Sequence, residues 1–107
     1  MTEVKIKKKN GKIVSVDCDG HTGYGQEGED IVCAALSSVV QTAVLGLMSV
    51  AGIQVALQTG EGKLYMELPA ALSEAQRHDA DVILETMLMG IADLYEGYSD
   101  FIELEVT

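Results

Sequence analysis

The sequence predicts an α/β domain of the α+β kind. It has two layers, the element order ββαββαβ, a largely antiparallel five-stranded sheet and two long helices. Three observations lead there. Five short runs alternate apolar with polar residues, the period of a half-buried strand. Two longer segments, 31–51 and about 74–97, are apolar throughout in the first case and striped in the second, as helices are. All of this fits within 107 residues, the length of one domain, so 1–107 is read as a single unit.

Val4 and Ile6 alternate with lysines, and Val14, Val16 and Cys18 alternate with Ser15 and Asp17. These are two strands of a hairpin. Asn10-Gly11 between them fits a two-residue turn. That turn would set Ile6 opposite Ser15 and Val4 opposite Asp17. A three-residue loop, Lys9-Asn10-Gly11, sets Ile6 opposite Val14 and Val4 opposite Val16. The longer loop is preferred, because a slip of one residue turns a whole apolar face to water. Residues 20–28 hold four glycines and read as a loop.

No charged residue occurs from Ile31 to Gly60. Segment 31–51 is about long enough to span a bilayer, which takes about 20 residues. Ser37, Ser38, Gln41 and Thr42 interrupt it with a polar band, and strands flank it on both sides. The preferred reading is a helix buried on most of its circumference, covered by the sheet and by a second helix or a second subunit. Ile53, Val55 and Leu57, then Leu64, Met66 and Leu68, form a second hairpin around TGEG. Ser73 and Gln76 make a capping box for the second helix. Its apolar face is expected to hold Val82, Ile83, Met87, Ile91 and Leu94, and its charged face Glu74, Arg77, Asp81 and Glu85. Ile102, Leu104 and Val106 alternate in the last strand.

The charge balance narrows the function. Seven Lys plus Arg stand against 17 Asp plus Glu, a net charge of −10. That argues against direct nucleic-acid binding, which needs a concentrated basic face. Lys5, Lys7, Lys8 and Lys9 read as a solvated strand face. The first ten residues lack the apolar stretch of a secretory signal. Two cysteines make no disulfide scaffold, and the expected setting is the cytoplasm with reduced thiols.

Four constellations could carry chemistry. Gly23, Gly25 and Gly28 match G-x-G-x-x-G, but Glu27, Glu29 and Asp30 would repel a phosphate there. Cys33 is expected in the first turn of a helix starting near Asp30, where free N–H groups and the helix dipole favour a thiolate. His21, on the loop before it, could act as base and then acid. The plainer alternative is a buried structural cysteine and a loop histidine, and the pair alone favours that alternative. Asp30 reads as an N-cap accepting the N–H of Cys33, or as a third member orienting His21. Cys18, His21 and Cys33 could ligate zinc, yet strand parity turns Cys18 into the core, so no metal and no cofactor are expected. His78 has no partner by spacing and is expected at the surface.

Gly20-His21-Thr22-Gly23-Tyr24, followed by Gly28-Glu29-Asp30-Ile31-Val32-Cys33-Ala34-Ala35-Leu36-Ser37, shifts that balance. The stretch resembles the signature of the ribosomal-processing cysteine protease family, Prp, roughly G-H-A-G-Y, a short gap, then G-x-D-I-V-C-A-A-x-S. Thr22 stands where alanine is usual. The resemblance implies a cytoplasmic, homodimeric cysteine endopeptidase that removes the N-terminal extension of a large-subunit ribosomal protein. It implies Cys33 as nucleophile and His21 as general base. Gly20, Asp30 and Ser37 would support them, and Gly23, Tyr24, Gly25 and Gly28 would form a substrate loop. The acidic charge suits a basic ribosomal protein as partner. The competing expectation is a non-catalytic dimeric adaptor of ribosome assembly that keeps the motif for folding.

Overall fold

The structure, a computed structural model, describes residues 1–20 and 29–107. Strands β1 (Thr2–Lys9) and β2 (Lys12–Asp19) precede helix α1 (Glu29–Leu45), which continues into a π-helical turn, Gly46–Val50. Strands β3 (Ala56–Gly60) and β4 (Lys63–Glu67), helix α2 (Glu74–Gly97) and strand β5 (Ile102–Val106) complete the expected ββαββαβ order. The sheet order is β3-β4-β2-β1-β5, antiparallel except for the β1–β5 pair, which is parallel. Both helices contribute to one core with the sheet. Val4, Ile6, Val16 and Met66 meet Leu36, Leu47, Leu84 and Ile91 there. Each such side chain contributes roughly 1.5–3 kcal/mol on burial.

The first hairpin departs from the expected register. Asn10 (φ 55°) and Gly11 (φ 77°) form a two-residue turn with Lys9 opposite Lys12. Two consecutive positive φ angles are what Asn-Gly adopts readily, and they match the strand twist. The register is then corrected within the strand. Lys8 faces Ile13 but Lys7 faces Ser15, so Val14 is an extra, bulged residue. Ile6 therefore meets Val16 and Val4 meets Cys18, two residues away from the pairing that a three-residue loop gives. The bulge also lets Ile13 enter the core, while Val14 is only half-buried. On the core face of β1 the row runs Thr2, Val4, Ile6, Lys8. Lys8 and Lys12 reach across to Glu85 (3.3 Å) and Asp81 (2.6 Å) of α2, so part of the lysine run ties sheet to helix.

The capping box of α2 is present: Gln76 N–H donates to Ser73 Oγ, and Ser73 N–H donates to Gln76 Oε1, each at 3.1 Å. Its apolar stripe holds Ile83, Met87, Ile91 and Leu94 as expected, adds Ala80 and Leu84, and leaves out Val82. Ala80, Leu84, Met87 and Ile91 are buried, whereas Val82 is 53% exposed. The second hairpin starts later than its alternation suggested. Ile53 reaches the core ahead of the strand, and all five residues of β3 are exposed.

Helix α1 is not buried on most of its circumference within the chain. Val32, Leu36, Val40, Ala43, Val44 and Leu47 form one core stripe, while Ile31, Leu45 and Val50 face outward. The stretch Ile31–Val50 is long and apolar enough to cross a membrane, yet one side of it is the core of this sheet-and-helix domain. After Leu45 the ladder widens, and Ala51 N–H donates to Gly46 C=O at 2.9 Å.

Candidate active site

The core stripe of α1 has a polar neighbour. Cys33, Ser37 and Gln41 succeed one another four residues apart, on one face of the helix, and line a cleft of about 250 Å³. The polar band that interrupts the apolar segment is thus in part the wall of this cleft. Facing it are Gly20, just beyond β2, and the tip of the β3–β4 hairpin, with Thr59, Gly60, Gly62 and Lys63. Gly62 takes φ 68° in the turn, and its carbonyl accepts Gly20 N–H at 2.7 Å. That bond ties the end of β2 to the hairpin tip.

Cys33 is half-buried and free. It is the fifth residue of α1, not a member of the first turn as the sequence suggested. The unpaired N–H groups belong to the four residues before it, and helical side chains lean toward the N-terminus. Its Cβ therefore points back toward those donors. Asp30 lies inside α1, so it is not the residue that caps the helix. His21, Gly23, Tyr24, Gly25 and Gly28 lie outside the described residues, and so do the G-x-G-x-x-G match and the side chain of Asp30.

Cys18 reaches the same cleft from the core side of β2. Burial first, then the nearby Cys33, Asp17 and Asp19, push its thiol up from 9.0 to about 11. It stays protonated at neutral pH and makes a poor nucleophile. For the zinc alternative, Cys18 and Cys33 share the cleft. Among the described residues no three His, Cys, Asp or Glu side chains gather as a metal site. His78 is at the surface, with Nδ1 3.3 Å from Asp79 Oδ1.

Thr2 is the site residue that sequence reasoning missed. Its Oγ1 lies 2.7 Å from Cys33 Sγ, across 31 positions of sequence. Only its place in the inward row of β1 hinted at it. The hairpin-tip residues were also unmarked, although Gly60 and Gly62 signalled the turn itself.

Comparison with known proteins gives a consistent result. A model of the family described as cysteine protease Prp matches residues 1–103. The ribosomal processing cysteine protease Prp of Bacillus subtilis (strain 168) is 31% identical over 103 residues, covering 94% of this chain and 92% of that protein. A crystal structure of a Prp from S. aureus with a substrate peptide superposes with a TM-score of 0.88 at 26% identity, covering 100% of both chains. A second S. aureus Prp structure, with a covalently linked product peptide, gives 0.83 at 27% identity, again covering 100% of both.

Proposed function

Since this chain belongs to the cysteine protease Prp family, we propose that it removes the N-terminal extension of a large-subunit ribosomal protein. Cys33 is the nucleophile and His21 the general base. The observation that carries this reading is the placement of Cys33, half-buried and open to the cleft beside a second thiol that stays protonated. His21 takes the thiol proton, and the sulfur attacks the scissile carbonyl carbon. The tetrahedral oxyanion is held by free N–H groups at the start of α1. His21 then protonates the leaving amine, and water hydrolyses the thioester with His21 again as base. Gly20, Asp30 and Ser37 support the pair, and Gly23, Tyr24, Gly25 and Gly28 form the substrate loop. The S. aureus Prp with a covalently linked product peptide supports a covalent route.

The net charge of −10 favours a basic ribosomal protein as substrate. The outward face of α1, with Ile31 and Leu45, together with the exposed Val50 and strand β3, supports a symmetric homodimer, and the two free cysteines suit the cytoplasm. Sedimentation equilibrium at micromolar concentration should give twice the chain mass. The test of function is intact-mass measurement after incubation with an N-terminally extended ribosomal protein. Two products whose masses sum to substrate plus one water are expected, and none with Cys33→Ser. A substrate that is bound but left whole would replace the protease reading with that of an assembly adaptor.

A further inference from the structure

We propose that Thr2 is a positioning residue for Cys33, and that Gly20 is glycine because Thr2 needs the space. The inference rests on Cys33 being the nucleophile. Thr2 is 2% exposed, at the end of the inward row of β1. Its backbone is fixed from two sides: its N–H donates to Phe101 C=O at 2.9 Å, and it pairs with Ile102. A β-branched side chain on a fixed strand has few rotamers, so its hydroxyl is held in place. Cys33, by contrast, is half-buried on the cleft wall, and rotation about a single bond decides where its sulfur points. The contact from Oγ1 to Sγ at 2.7 Å selects one of those positions. While sulfur keeps its proton, either atom can donate. Once the proton has left, only the threonine hydroxyl can, and it then donates to an anionic sulfur, the stronger kind of hydrogen bond.

Gly20 closes the argument. A Cβ there would come within 2.8 Å of both Thr2 Oγ1 and Thr2 Cγ2. Both contacts are closer than atoms tolerate, so any side chain at 20 would push Thr2 off its rotamer. No positive φ requires glycine at this position, since those are found at Gly11, Gly52 and Gly62. The requirement is for space beside Thr2. A glycine that a sequence reading assigns to loop freedom thus acts through Thr2 on the sulfur.

The test uses the full chain and two readouts. Thr2→Val keeps shape and removes the hydroxyl, whereas Thr2→Ser keeps the hydroxyl. Thr2→Val should lower kcat about tenfold with KM little changed, because the bond acts on the reacting sulfur. It should slow alkylation of Cys33 by iodoacetamide by a similar factor, and Thr2→Ser should restore both. The alkylation arm needs no substrate, so it stands even where the cleavage reading fails. Wild-type alkylation by Thr2→Val, or a Thr2→Ser as slow as Thr2→Val, would overturn the proposal. If Thr2→Val does not fold, Gly20→Ala is compared in wild type and in a Thr2→Ala background. It should slow alkylation several-fold in the first and have little further effect in the second. Equal effects in both backgrounds would refute the coupling.

Discussion

The two cysteines stand on one cleft, and their surroundings separate them. Cys18 ends the inward row of a central strand, opposite Val4, with its thiol pushed up to about 11. Cys33 begins the second turn of a helix, half-buried, with a hydroxyl 2.7 Å from its sulfur. The strand position follows from packing: period two turns Cys18 inward, where a small apolar side chain fits and an anion does not. The helix position follows from a different pattern. Cys33 lies one residue beyond the core stripe led by Val32, which places it on the boundary between core and cleft. Reactivity here is a matter of which edge of an element a thiol occupies.

The largest expected effect breaks the comparison outright. Cys33→Ser should lower kcat/KM by at least about a thousandfold, since the hydroxyl is a far weaker nucleophile. Thermal unfolding should barely move. Cys18→Ser should instead retain activity within a few-fold and lose about 1 kcal/mol of stability, because a hydroxyl is buried where a thiol was. Kinetics and calorimetry on the two variants check both halves.

A second measurement sharpens it. At pH 8 a thiol titrating at about 11 is about one part in a thousand thiolate. Iodoacetamide followed by peptide mapping should therefore label Cys33 and leave Cys18 nearly untouched until the protein is unfolded. Comparable labelling of both in the native protein would show that Cys18 does not hold its proton as described.

Much of the frame behind this comparison was legible in the chain, and the failures have physical causes. Alternation located β1, β2, β4 and β5 and turned Cys18 inward, but it set β3 too early. Ser73 and Gln76 located the start of α2. The first hairpin failed because two rules conflicted. Asn10-Gly11 demanded a two-residue turn, and the apolar face demanded another register. The fold satisfies both by bulging at Val14, which no local pattern announces. Val82 was misplaced because it lies just outside the face of α2 that Ala80, Ile83, Leu84, Met87 and Ile91 turn to the core. Within the site, the motif marked Gly20, Cys33 and Ser37, all on the cleft. It could not mark Thr2, whose contact with Cys33 depends on β1 passing beside α1. Asp30 as a cap failed because the helix begins ahead of it. His21 and the glycine-rich loop lie outside the described residues and stay with the proposal.

An effect confined to alkaline conditions appears in stability. The folded Cys18 holds its proton up to about 11, whereas the unfolded thiol releases it near 9.0. Between those values the native state binds more protons than the unfolded one, so stability falls as pH rises. Below pH 9 the contribution is fully present, and above about 11 it is lost. Two pH units correspond to at most about 3 kcal/mol, reduced to on the order of 2 kcal/mol by solvent in the cleft that Cys18 lines. In a domain of this size that lowers Tm by on the order of 10 °C. The wild-type curve alone does not isolate the thiol. The comparison with Cys18→Ala does. That variant should be less stable at pH 8 from the lost packing, and should decline less steeply between pH 9 and 11. The two Tm curves should therefore converge with rising pH. Parallel curves across that window would mean that Cys18 ionises as freely in the folded protein as in the unfolded chain, and the contrast between the two thiols would then rest on access alone.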